Sequence, residues 1–215
     1  MGTMILYDYS RSSAAFRVRI ALRLKGLEAE HRYVHLLKGQ QLEGTHREKS
    51  PQGFVPVLQD GPATLTQSLA IVEYLDETHP QPPLLPAAPA DRAWVRAIAL
   101  AIACDIHPLN NLRVLKHLKR AFDVEDEARD AWYRHWIAEG FTAIEQLLRE
   151  RPGRGPFCLA DAPTVADVCL VPQVFNAHRY QCPMDGYPQV NGVFEACMKL
   201  GAFDLAQPSK QPDAG

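Results

Sequence analysis

The stretch 9-YSRSSAAFRVRIALRLKG-26 opens as a turn and continues as an amphipathic helix. Phe16, Ile20 and Leu24 recur at i, i+4 and i+8, and Val18, Ala21 and Leu22 widen the apolar stripe. Arg17, Arg19 and Arg23 take the other faces, and Lys25-Gly26 is a stop signal. A helix start needs one capping hydroxyl, yet Arg11, Ser12 and Ser13 stand here together. A helix N-terminus presents unpaired N–H groups and roughly half a positive charge, so it is a place to hold an anion. If that anion is a thiolate, lowering its pKa from ~8.5 to ~6.5 takes about 2.7 kcal/mol. The helix end supplies up to ~2 kcal/mol and one hydrogen bond to a charge ~1.5–3, which together suffice. No cysteine lies nearby, so such a thiol must come from a ligand. Taken alone, capping by Ser12 or Ser13 explains the same residues.

Before this helix, Ile5-Leu6-Tyr7 reads as a short strand, and 31-HRYVH-35 after it as a second. Val57-Leu58 and Thr64-Leu65 predict two further strands about a turn at Asp60-Gly61. Ser68 begins a helix carrying Leu69, Val72 and Leu75. The order is βαβ followed by ββα: one small mixed sheet with helices packed on it. The stretch 80-PQPPLLPAAPA-90 can be neither helix interior nor central strand and marks a linker. Beyond it the pattern turns helical, from Asp91 to about Leu118, from Asp126 to Arg149, and from near Thr164 to Ala177. In 159-LADAPTVADV-168, Thr164 and Asp167 form a capping-box pair, with Pro163 and Val168 placed as a hydrophobic staple. That motif concerns fold rather than chemistry. The expected domains are 1–82, a linker 83–90, a helical domain 91–206 and a disordered tail 207–215.

Composition narrows the function classes. Of 215 residues 47% are apolar, enough for a large core, and a net charge of −2 argues against a nucleic-acid surface. The five cysteines are odd in number and form no C-x-x-C pair, so a zinc or dithiol site has no support and a reducing compartment is expected. No secretory leader and no apolar run of ~18 residues stands in the sequence, so a cytoplasmic, membrane-free protein is expected.

Three further features bear on the first helix. Val55-Pro56 lies between a turn and a strand, suiting either a cis-proline that exposes the Val55 backbone to a peptide-like ligand or a plain edge proline. Gln67-Ser68 opens a helix, where amide, hydroxyl and backbone N–H can grip a carboxylate or simply cap. Pro108, in 105-DIHPLNNLR-113, is expected to kink its helix.

In this order these features resemble the glutathione transferase superfamily, and within it the zeta class, which includes maleylacetoacetate and maleylpyruvate isomerases. The resemblance spans about residues 4–205 and is carried by 12-SSAAFRVRIALRLKG-26, 67-QSLAIVEYL-75 and 104-CDIHPLNNLRVLKHL-118. It implies a thioredoxin-like α/β N-terminal domain followed by an all-α C-terminal domain. It also implies glutathione as cofactor, a homodimer, and cis–trans isomerisation of a maleyl keto acid. By the same resemblance Ser12 and Ser13 are the catalytic candidates. Glutathione falls to Gln41, Val55, Pro56, Gln67, Ser68, His107, Asn111 and Arg113. Arg11 and Arg179 hold the carboxylates of a small dicarboxylate, a task suited to guanidinium forks. No metal is implied. The zeta motif usually reads S-S-C, and Ala14 stands at the cysteine position here, which argues against thiol transfer but leaves isomerisation open. Two rival expectations are a conjugating or dehalogenating transferase and a non-catalytic binding module of the same fold.

Overall fold

Side chains of a strand alternate between its faces, and β1 (Met4–Asp8) uses both. Leu6 and Asp8 point to one face and are completely buried; Ile5, Tyr7 and the following Tyr9 join Val34, Val55 and Val57 in an apolar cluster on the other. The computed structural model describes residues 3–151, 153 and 155–214. In it β1 pairs in parallel with β2 (Ala29–Tyr33) and antiparallel with β3 (Val57–Asp60), which pairs antiparallel with β4 (Ala63–Thr66). The sheet order β2-β1-β3-β4 is the mixed sheet that the βαβ–ββα pattern implies. The parallel pair needs a crossover, supplied by α1 (Ser13–Leu24). The β3–β4 hairpin turns through Gly61, whose φ of 54° suits the first position of a two-residue loop. α3 (Ser68–Thr78) packs beside α1 and buries Ile71, Val72 and Leu75, while Phe16, Val18 and Ile20 of α1 are equally buried. Between β2 and β3 lie two 3₁₀ turns (Leu36–Lys38 and Gln40–Leu42) and the short α2 (Gly44–Arg47), none of which the sequence pattern announces.

Two arginines read as outward-facing are not. Arg17 and Arg19 are each 2% exposed. Arg19 reaches under the sheet end. Its Nη1 lies 2.7 Å from Asp8 Oδ1, its Nη2 donates to the Ser10 carbonyl at 3.0 Å, and its Nε donates to the Ala206 carbonyl at 2.9 Å. Burial pulls the guanidinium below its ordinary pKa, and the charge and hydrogen bond of Asp8 oppose that pull. Lys25 is likewise more than a stop signal, for its buried Nζ bonds Asp76 and the carbonyls of His79 and Pro82.

The chain divides into two compact units, and the first takes in residues up to Leu84 together with those from Lys199 onward. The expected division at 206, with a disordered tail from 207, therefore differs from what the structure shows. After α9 (Gly201–Asp204), a 3₁₀ turn spans Pro208–Lys210, and the buried Gln211 donates to the carbonyls of Leu205 and Gln207. The polar composition suggested disorder because polar side chains normally face water. Here they serve as hydrogen-bond partners instead. Met1, Gly2, Pro152, Arg154 and Gly215, within the expected spans, lie outside the described residues.

The second unit, Leu85–Met198, carries helices and no strand among its described residues. α4 (Pro89–Leu100) runs into a π-helical segment, Ala101–Ile106, in which His107 N–H bonds the Ile102 carbonyl. The expected helix to Leu118 is thus broken rather than kinked, since Pro108 has no N–H to continue the ladder. α5 (Leu112–Phe122) restarts after Asn111 caps it. α6 (Asp126–Arg149) and α7 (Val165–Arg179) follow, then α8 (Pro188–Met198), which no sequence reading anticipates.

At the start of α7 the capping box forms. Asp167 is fully buried and accepts from the Thr164 N–H, the Thr164 hydroxyl and the Cys158 N–H at 2.7, 2.8 and 2.7 Å. Burial raises its pKa while these bonds work the other way. Asp167→Ala leaves three donors without their acceptor and should cost about 3 kcal/mol or more, lowering the thermal midpoint measured by circular dichroism. Gly140 of α6 gives a sharper test. A Cβ there would lie 2.2 Å from Ile106 Cδ1 and 2.3 Å from its Cγ1. Helix propensity alone makes Gly140→Ala stabilising by about 1 kcal/mol, so a lowered melting temperature would identify this close approach to the π segment.

Candidate functional site

Strand register brings the chemistry together at one end of the sheet. Tyr7 pairs with Val57, Val57 with Thr66, and Asp8 with Tyr33. The residues just beyond these partners therefore gather there: the turn Tyr9–Ser12 after β1, Val34-His35 after β2, Val55-Pro56 before β3 and Gln67-Ser68 after β4. Tyr9, Val34 and Val55 share an apolar cluster, which fixes that end from beneath. The Val34 N–H bonds the Asp8 carbonyl at 2.8 Å, and the Tyr9 and His35 rings lie 5.4 Å apart.

At the N-terminus of α1, Ser12 is the cap and its Oγ accepts the Ala15 N–H at 3.2 Å. A hydroxyl that spends a lone pair on its helix keeps its hydrogen to donate outward. Ser13 is the first helical residue and is buried, Arg11 is exposed, and no acidic side chain occupies the first turn. The Ala14 N–H is one of the end amides that no carbonyl behind it in the helix can satisfy. The ends of α1 and α3 carry the same partial positive charge.

The peptide bond between Val55 and Pro56 is cis. Val55 lies outside the β1–β3 register, just ahead of Val57. The preceding segment is held by His46, whose Nε2 lies 2.9 Å from the Phe54 carbonyl, and by Ser50, whose Oγ accepts the Phe54 N–H at 3.0 Å. Gln67 adopts φ 67° and ψ 115° at the N-cap of α3, a conformation that costs a non-glycine residue about 1–3 kcal/mol. Its Nε2 donates to Gln52 Oε1 at 2.7 Å. Ser68 is buried, and its Oγ accepts from Arg17 Nη1 at 3.2 Å, which leaves the serine hydrogen free to donate. Gln41 sits in the 3₁₀ turn after β2, with its buried Oε1 lacking a partner among the described residues. A peptide-like ligand with a thiolate and a carboxylate fits such donors: two helix ends, two serine hydroxyls and a cation behind one of them.

The remaining candidates belong to the second unit. His107 ends the π segment, and Arg113 is exposed in the first turn of α5. Asn111 spends its Oδ1 on the Arg113 N–H at 3.0 Å, so the side-chain amide is what it has left to offer. Arg179 is exposed at the end of α7, with its guanidinium carbon 5.6 Å from the Tyr180 ring centroid. Among the described residues no group of His, Cys, Asp and Glu is arranged to hold a metal ion, and no helix is long and apolar enough to cross a membrane. All five cysteines are free, and burial raises the thiols of Cys158, Cys182 and Cys197 above their ordinary pKa, which keeps them protonated. The sequence reading missed Asp8, Arg17, Arg19 and His46. The one signal available was two arginines set between apolar neighbours in a helix whose apolar residues nearly encircle it.

The glutathione S-transferase N-terminal domain model matches residues 6–83, and the glutathione S-transferase C-terminal domain model matches residues 126–196. The probable maleylacetoacetate isomerase of Vibrio cholerae serotype O1 is 48% identical over 216 residues, covering 100% of both chains. A holo structure of maleyl pyruvate isomerase, a bacterial zeta-class glutathione S-transferase, aligns with a TM-score of 0.96 at 44% identity, over 98% of this chain and 100% of that one. The maleylacetoacetate isomerase of Anaeromyxobacter dehalogenans 2CP-1, solved with dicarboxyethyl glutathione and citrate in its active site, aligns at 0.88 with 42% identity, over 99% and 94%. With both halves matched by transferase domains and full-length relatives this similar, the chain belongs to the zeta class of the glutathione transferase family.

Proposed function

We propose that this protein is a glutathione-dependent cis–trans isomerase acting on a maleyl keto acid, maleylacetoacetate or maleylpyruvate. The observation that carries the reading is the shared sheet end where Ser12, cis-Pro56 and Gln67-Ser68 meet two helix N-termini. Bound glutathione would supply a thiolate that adds reversibly to the conjugated cis double bond, makes it a rotatable single bond, and leaves unchanged. The protein's residues make that chemistry possible. Ser12 donates its hydroxyl hydrogen toward the sulfur, and the α1 end lowers the energy of the charged form. Ser13 adds a second hydroxyl at the same helix start. Ser68, the α3 amides and Gln67 take the ligand's amino-acid carboxylate, the Val55 backbone pairs with the peptide part, and Gln41, His107, Asn111 and Arg113 complete the glutathione contacts. Arg11 and Arg179 hold the substrate's carboxylates while its centre turns.

The same reading includes a homodimer, measurable by light scattering, and a cytoplasmic setting that suits five free thiols. Conjugation is a second reading, favoured by the glutathione adduct of a C4 dicarboxylate found in the Anaeromyxobacter relative. The two separate by mass balance. Incubation with maleylpyruvate or maleylacetoacetate should give the fumaryl isomer with glutathione undiminished, whereas stoichiometric loss of glutathione would mean conjugation.

Ser12→Ala should raise the pKa of the bound thiol by about 1–2 units, equivalent to ~1.4–2.7 kcal/mol of lost preference for the thiolate. Because the thiolate is the reactive form, kcat/KM should fall at neutral pH and recover as pH rises. Arg11→Ala and Arg179→Ala should each raise KM for the dicarboxylate roughly ten-fold, the worth of a lost charge-assisted hydrogen bond, with little change in KM for glutathione.

A further inference from the structure

Every polar group of Ser10 is engaged. Its N–H donates to Asp213 Oδ2 at 2.9 Å, its hydroxyl donates to the Asp213 carbonyl at 3.1 Å, and its own carbonyl accepts from Arg19 at 3.0 Å. Ser10 is 1% exposed and stands two residues ahead of Ser12, whose N–H bonds the Tyr9 carbonyl at 2.9 Å. Rotation about the Ser10 backbone would therefore swing Arg11 and Ser12 together. Asp213 is itself held from behind. Gln211 donates to the Leu205 and Gln207 carbonyls and accepts at its own carbonyl from the Ala214 N–H, folding this segment back on itself beside α9. The Ala206 carbonyl receives Arg19 Nε, so the segment grips both the turn and the cation beneath it.

We propose that Asp213 is a positioning residue for the thiol-binding turn. The C-terminal segment acts as a strap that fixes the Ser10 backbone and so aims the Ser12 hydroxyl and the first amides of α1 at the ligand sulfur. This inference rests on the reading that a thiolate is held at that turn. A strap of this kind differs from general scaffolding: the buried face of α1 is secured by Phe16, Val18 and Ile20, while Asp213 takes its two hydrogen bonds from Ser10, the residue that leads into the site, and sets its charge near Arg19 beneath it.

The test uses the full-length protein with glutathione as the probe, reading the bound thiol's pKa from its ultraviolet thiolate absorbance, KM for glutathione and kcat. Asp213→Ala should raise the bound thiol's pKa by about one unit and KM for glutathione roughly ten-fold, with a smaller change in kcat once glutathione saturates. Asp213→Asn, whose amide oxygen can still accept the Ser10 N–H, should recover most of both. A folded Asp213→Ala protein with wild-type thiol pKa and KM overturns the proposal, and so does Asp213→Asn matching the alanine variant. If Asp213→Ala does not fold, Ser10→Ala decides: it keeps the main-chain grip and loses one donor, so a shift in the same direction supports the strap and unchanged values overturn it. Ser12→Ala run in parallel separates the two levels. No thiol shift in Ser12→Ala removes the reading of the turn itself, whereas a shift there with none in the Asp213 and Ser10 variants removes only the strap.

Discussion

A single buried ion pair, Arg19 with Asp8, ties together the parts that make the site. The two side chains are 1% and 0% exposed, so each is held in a medium where an unpaired charge is costly. Removing one partner of such a pair typically costs about 3–5 kcal/mol, because the other is left buried and uncompensated. The pair stays intact because it is richly hydrogen-bonded. Asp8 also accepts the Tyr9 N–H at 2.7 Å and lies 3.0 Å from His31 Nδ1, while Arg19 serves the carbonyls of Tyr9, Ser10 and Ala206. Strand end, helix and C-terminal segment thus meet on one guanidinium. The turn from β1 to α1 has little freedom left.

That rigidity suits the chemistry assigned to the turn. A helix end stabilises an anion only if its amides stay aimed at it, and the effect fades within the first turn. Hydroxyl direction matters equally, and the structure sets it twice by the same device. Ser12 accepts from the Ala15 N–H and Ser68 accepts from Arg17, so in both serines a lone pair is spent on the protein and the hydroxyl hydrogen is left to donate. The strained backbone of Gln67 fits this picture, because a left-handed N-cap turns the last residue of the hairpin toward the place where the helix begins.

The sequence disclosed those parts that depend on local pattern. Phe16, Ile20 and Leu24 announced α1, the Thr164–Asp167 box marked the start of α7, and Val55-Pro56 was legible as a candidate cis bond. It concealed whatever depends on partners far along the chain. Arg17 and Arg19 look like solvated charges because their partners lie 51 residues away in one case and up to 187 in the other. The C-terminal segment looks disordered because its value lies in satisfying backbone groups of Ser10 rather than in burying apolar surface. The π segment hid for a different reason: its residues are ordinary helix formers, and the break comes from Pro108 acting on the ladder behind it.

These long separations bear on how the site is completed. The α1–α3 packing and the four-stranded sheet use residues up to Thr78, so their apolar contacts can form while most of the chain is still unpaired. The ladder of bonds on Ser10 and Arg19 cannot, for Asp213 and Ala206 reach them only after the helical unit has been spanned. Closing so long a loop is entropically costly, but the cost grows only with the logarithm of its length. It is offset locally, since Arg19 would otherwise keep a buried Nε without an acceptor and Ser10 a buried N–H. Placing the last ties of the turn this far along the chain therefore makes its full set of hydrogen bonds a property of the finished fold. Residues 3–84 alone hold the Asp8–Arg19 pair and the Ser12–Tyr9 bond, yet they lack the acceptors that Asp213 and Ala206 supply to Ser10 and Arg19.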